Sequence, residues 1–159
     1  MLPNNAEVYL DANFLVAYFV GNHSDHINSV QLFASLVARS NILNLSPLTV
    51  DETLHAIQKE YNNLRKQQAL NNKPHSFYYQ QLKKVVYYLI TSPRIKIRQF
   101  ENNIGKGCLA AVENIKNFSL APRDAFHAAY MQEWEIKYIV TNDSDFDSLI
   151  SIGINKISF

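Results

Sequence analysis

The chain has 159 residues, enough for one domain with a substantial core and short for two. Its apolar content of 47%, with nine Tyr and nine Phe, argues against a disordered chain, and four Gly with five Pro argue against a turn-rich all-β fold. The formal net charge of +1 conceals a segregation, because residues 59–106 carry +8 and the remainder −7.

Taken in chain order, Glu7 to Asp11 reads as a short strand ending on an acid, and Asn13 is placed to cap a helix through Phe14 to Phe19 that Gly21-Asn22 breaks. Asp25 to Arg39 repeats apolar residues with a helical period. Ile42 to Leu45 is a second strand, and Ser46-Pro47 opens a helix with Val50, Leu54, Ile57, Tyr61 and Leu64 along one face. Asn71 to Pro74 reads as a loop and His75 to Ile90 as an aromatic-rich helix. The alternation Ile95-Lys96-Ile97-Arg98 predicts a half-exposed third strand. Two further helices, Asn103–Phe118 and Pro122–Trp134, precede a buried-type strand at Tyr138–Val140, a polar run from Thr141 to Asp147, and a last strand within Ile154–Phe159.

Short strands alternating with helices predict a three-layer α/β/α domain over residues 1–159, with a short, mainly parallel central sheet and an extended basic helical region at about 59–106. Phe14 to Val20 is too short to span a bilayer and has no basic residues before it, so a cytoplasmic protein without a membrane association is expected. Cys108 is alone, which excludes an internal disulfide; its expected place is a helical core.

The chemistry is carried by acids. In such sheets ligands sit beyond the carboxyl ends of the strands, where Asp11 and Asp143 both fall. Each acid also has an ordinary explanation. Asp11 ends a strand, Glu52 forms a capping box with Thr49 in a first helical turn, Asp124 follows Pro122 in another first turn, and Asp143 with Asp145 suits an Asx turn. A calcium loop at 143–154 fails, because Ser148 replaces the required Gly and Ile154 the bidentate Glu. Collectively, acids at strand ends and helix starts repel one another unless a hard cation such as Mg²⁺ or Mn²⁺ compensates them.

The ordered set Leu10-Asp11-Ala12-Asn13-Phe14-Leu15, Thr49-Val50-Asp51-Glu52, Arg123-Asp124-Ala125-Phe126-His127-Ala128-Ala129 and Ile139 to Asp147 resembles PIN-domain ribonucleases, especially the VapC-like toxins of toxin–antitoxin pairs. The resemblance implies a metal-dependent endoribonuclease. Asp11, Glu52, Asp124 and Asp143 would be catalytic and bind the metal, with Asp145 as an additional ligand, Asn13 and Thr141 as supporting groups, and Mg²⁺ or Mn²⁺ as cofactor. It also implies an RNA substrate, an antitoxin partner and a homodimer. Ala12 departs from the family's usual Thr or Ser, and little of residues 59–106 follows the family pattern. Within that region Lys83, Lys84, Arg94, Lys96 and Arg98 are candidate RNA contacts. Tyr78, Tyr79, Tyr87 and Tyr88 could stack on bases, although helix packing or a dimer contact is the stronger expectation. His55 and His127, one turn beyond Glu52 and Asp124, are expected to pack or to support the acids.

Three alternatives are weighed. A haloacid-dehalogenase-like phosphatase needs a second Asp where Asn13 stands, and a di-iron bundle of Glu52/His55 and Asp124/His127 pairs conflicts with the strands. A PIN-like module that binds RNA or protein without cutting would have no need of all four acids.

Overall fold

The computed structural model describes residues 2–66, 75–101 and 103–159. The loop expected at 71–74 lies outside them. Five strands, β1 (Glu7–Leu10), β2 (Ile42–Leu45), β3 (Ile95–Ile97), β4 (Tyr138–Val140) and β5 (Asn155–Ile157), form an all-parallel sheet in the order β3-β2-β1-β4-β5. Parallel neighbours need crossover connections, and helices supply them: α1 (Ala12–Phe19), α2 (His26–Ala38), α3 (Pro47–Lys66), α4 (His75–Thr91), α5 (Ile104–Phe118) and α6 (Pro122–Glu133). The polar run after β4 becomes a 3-10 helix, Ser144–Ile152. The three-layer α/β reading of the sequence describes this architecture.

Alternation along the central strand separates the two cores. Val8 and Leu10 face one side, where Phe14, Leu15, Leu36, Val85 and Leu89 of three helices pack on the sheet. Tyr9 faces the other, with Ala125, Ala128, Ala129, Met131 and Phe146. The run of small residues on α6 lets that helix lie close to the sheet, which brings its N-terminus to the strand ends. No helix among the described residues is long and apolar enough to cross a membrane.

Three local expectations are corrected. Asp11, not Asn13, caps α1, its carboxylate accepting from the Ala12 N–H. Ser46 caps α3, accepting from the Thr49 N–H, so Pro47 is the first helical residue and Glu52 lies in the second turn. The supposed Thr49/Glu52 box does not form, and Glu52 is free for other work. Cys108 is exposed, because α5 buries the Gly107, Ala111 and Asn114 face and the thiol lies one position off it.

Candidate active site

The strands all end at the same edge of the sheet, and two of them hand over directly to acidic segments. Asp11 follows β1 and is 7% exposed. Its Oδ1 accepts from the Ala12 N–H at 2.7 Å and its Oδ2 from the Thr141 hydroxyl, also at 2.7 Å. Thr141 follows the adjacent β4 and is fully buried. Having given its one proton to Asp11, its oxygen accepts from Asn13 Nδ2 at 2.9 Å and from the Asp143 N–H at 3.0 Å. A hydroxyl has one donor and two acceptor positions, and all three are used. This fixes the amide of Asn13, whose Oδ1 then faces away and is buried without a partner. Asp143 in turn caps the 3-10 helix, accepting from the Asp145 N–H.

A second network holds Glu52. Its Oε2 lies 2.8 Å from Nε2 of His127, whose Nδ1 lies 2.7 Å from the Tyr9 hydroxyl. That hydroxyl is also bonded to Ser46 Oγ at 2.8 Å and Thr49 Oγ1 at 2.9 Å. Burial pushes the Tyr9 hydroxyl well above the usual tyrosine range, so it remains protonated. One strand, two helices and the first residue after β2 thus converge on a buried chain that ends at the Glu52 carboxylate.

Asp11, Ala12, Asn13, Glu52, Asp124 and Asp143 line one cleft of about 470 Å³. One ligand-competent atom from each of Asp11, Glu52 and His127 lies within 4.8 Å of the other two. Both nitrogens of His127 are already engaged, so the histidine serves as a support for Glu52 and not as a ligand. Burial, and to a lesser extent the Glu52 charge, raise the Asp11 carboxyl above its ordinary value. Asp124 is pushed up to about 6, chiefly by burial, with Asp143, Asp11 and Asp145 adding repulsion. Asp145 is exposed and does not line the cleft; its charge nonetheless reaches Asp124. Crowded oxygen donors with an unpartnered amide oxygen beside them suit a hard divalent cation, so the residues fit such an ion.

The structure does not bring the five basic candidates to this cleft. Arg94 donates to the Ser40 carbonyl, Lys96 lies 3.5 Å from Glu7, and Arg98 pairs with Glu7 at 2.9 Å and Glu101 at 2.8 Å while lying over the Trp134 ring. Arg94, Lys96 and Arg98 are thus held by Ser40, Glu7, Glu101 and Trp134, and none of them lines the cleft. Lys83 and Lys84 are on α4, beside Tyr87 and Tyr88. Tyr78 stacks on Tyr61 and Tyr88 packs against Tyr18 and Phe19, whereas Tyr79 and Tyr87 are exposed. The basic residues that do line the cleft are His23, His55, Lys59 and Arg123, of which Arg123 Nε lies 3.6 Å from Glu52 Oε1.

A parallel sheet with acids gathered at its carboxyl edge defines an α/β protein with a candidate metal site. The particular family is explicit: residues 8–150 match the PIN domain profile, and the chain belongs to the PIN domain family. A curated relative, ribonuclease VapC6 of Methanocaldococcus jannaschii, is 24% identical over 165 residues, covering 98% of this chain and 99% of the relative. Among solved structures, the fold is similar to Mycobacterium tuberculosis VapC20, a Sarcin-Ricin loop cleaving toxin (TM-score 0.66, 15% identity, 94% of this chain and 98% of that one). It is also similar to FitAcB of Neisseria gonorrhoeae (TM-score 0.56, 16% identity, 94% and 96%).

Proposed function

We propose that this protein is a divalent-metal-dependent endoribonuclease and the toxin of a toxin–antitoxin pair. One observation carries the nuclease reading. Four carboxylates from widely separated parts of the chain, Asp11, Glu52, Asp124 and Asp143, share one cleft, and two of them are held above their ordinary pKa. Such crowding is unfavourable by itself and becomes favourable when cations occupy the cleft. Family membership and the name of the curated relative support the ribonuclease reading. The toxin assignment rests on likeness to proteins named as toxins.

Asp11, Glu52, Asp124 and Asp143 would hold one or two Mg²⁺ or Mn²⁺ ions, with Asp145 available at the rim. The bound cations would supply a nucleophile at neutral pH and charge neutralisation at the phosphorus. The protein's own task is positioning. Thr141 and the Ala12 N–H fix both oxygens of Asp11, while Asn13 and the Asp143 backbone lock Thr141. The Tyr9–His127 pair holds Glu52 from behind. No side-chain nucleophile is needed, and the products are expected to carry a 5′-phosphate and a 3′-hydroxyl.

The test is RNA cleavage by purified protein in Mg²⁺ or Mn²⁺, with and without EDTA, beside Asp11→Asn. Metal-dependent cleavage is expected for the wild type, and a loss of at least roughly a hundredfold for the variant with an unchanged circular dichroism spectrum. Cleavage by the variant at the wild-type rate would remove Asp11 from the mechanism.

A further inference from the structure

The acidic cleft does not end at the acids. A second hollow of about 470 Å³ shares Val16, His23, Ala56 and Lys59 with it, so the two form one continuous groove. One wall is α3, which presents Glu52, Ala56, Lys59 and Asn63 at spacings of four, three and four residues, a single helical face. The other wall is the last turn of α1 and the turn beyond it, with Val16, Val20, Asn22 and His23. Leaving Glu52, the groove runs past His55 and reaches Lys59 two helical turns on, about 10 Å at 1.5 Å per residue.

The charge changes sign along this path. The floor at Asp11 and Glu52 is negative. Lys59, by contrast, is exposed and makes no ion pair or hydrogen bond among the described residues. His23 accepts from the Asp25 N–H through Nδ1, and the Asp25 carboxylate, 3.9 Å from that nitrogen, borders the cleft on this side. Beyond Lys59 the groove is bordered by Glu60, so the stretch suited to an anion is short. An unpaired ammonium carried two helical turns beyond Glu52 fits a phosphate that is itself not the one being cleaved.

We propose that this groove is a phosphate subsite for single-stranded RNA, in which Lys59 contacts a phosphate adjoining the scissile one and His23 and Asn22 bound it on the α1 side. The inference rests on the ribonuclease reading for its substrate and adds the direction in which the strand leaves the acids, along α3. The basic residues of β3 and α4 play no part in it. A single strand is required because the groove lies between α1 and α3, two contacting helices, and packed helices have axes only about 8–10 Å apart.

The experiment separates binding from cleavage. Anisotropy of a fluorescein-labelled, mixed-sequence single-stranded oligoribonucleotide is titrated in EDTA at several salt concentrations, for wild type, Lys59→Ala, Lys59→Arg and Lys83→Ala; steady-state cleavage is measured separately in Mn²⁺. Lys59→Ala is expected to weaken binding roughly two- to fivefold, the net worth of one solvent-exposed charged contact. It should also make the slope of log K against log salt shallower by about 0.7, the value for one phosphate on a single strand. KM should rise with kcat nearly unchanged, Lys59→Arg should restore both, and Lys83→Ala should change neither. Wild-type affinity and slope in Lys59→Ala, or a slope change in Lys83→Ala instead, overturns the subsite. Failure of the wild type to cut RNA in Mn²⁺, with the Lys59 binding effect intact, would sink the nuclease reading and leave the subsite standing.

Discussion

Asp124 can be explained in two ways that predict opposite signs. As an acid in the first turn of α6 it complements the helix dipole, worth about 0.3–1 kcal/mol in its favour. As a member of a crowded acidic cluster it destabilises the metal-free protein. Its carboxyl is pushed from 3.8 to about 6, chiefly by burial and then by Asp143, Asp11 and Asp145. Between those two values the native state holds a proton that the unfolded chain has released, so stability falls as pH rises through that window and stays reduced above it. A rise of roughly two pH units corresponds to about 3 kcal/mol at full value. Asp124 is partly exposed, and solvent screening reduces this to about 1–2 kcal/mol. Asp124→Asn abolishes the repulsion and forfeits the dipole term, which leaves a net stabilisation of about 1 kcal/mol, or roughly 2–4 °C in Tm for a chain this size. The assay is thermal unfolding followed by circular dichroism in EDTA. The variant should melt higher than wild type at about pH 8, and the difference should close only below about pH 3, where both states of the wild type are largely protonated. Saturating Mn²⁺ should then raise the wild-type Tm more than that of the variant, since ligand bound only to the native state stabilises it by mass action. A variant that melts lower than wild type at about pH 8 in EDTA refutes the reasoning and returns Asp124 to a helix-terminus role.

Two further substitutions probe the networks behind the acids. Thr141→Val removes the hydroxyl that serves Asp11, Asn13 and the Asp143 N–H together, and should cost about 1–3 kcal/mol in urea unfolding. It should also weaken Mn²⁺ binding by roughly ten- to a hundredfold in calorimetric titration; unchanged affinity would mean that Asp11 needs no orienting partner. Tyr9→Phe leaves His127 Nδ1, Ser46 Oγ and Thr49 Oγ1 beside an apolar ring edge, and a similar stability loss of about 1–3 kcal/mol is expected. If the buried chain positions Glu52, Mn²⁺ affinity falls as well; a destabilised variant with wild-type affinity would confine Tyr9 to packing.

The acids were legible because their signal is local: Asp11 and Asp143 sit where a strand stops, Asp124 where a helix starts and Glu52 one turn into a helix, and a parallel sheet puts all such places near one edge. The Tyr9–His127 chain was not, because an inward tyrosine on a strand reads as one more apolar residue. Its hydroxyl acquires meaning only when α3 and α6 dock on the same face of β1. Cys108 was misplaced for a smaller reason. A helix turns by about 100° per residue, so the choice between burying the Gly107 face and the neighbouring one lies with α6, not with α5. The basic segment misled in a different manner. Charge summed over residues 59–106 says that an anion is welcome without saying where, and folding spends Arg94, Lys96 and Arg98 on a carbonyl and two glutamates outside the cleft. Among the described residues of that segment, the cation left beside the acids is the first, Lys59. It was identifiable in principle by its helical offset from Glu52, since seven residues on one helix return to the same face. Position relative to a known carboxylate on a shared element is therefore the more informative reading of a charge, because the helix carries the geometry that a composition average discards.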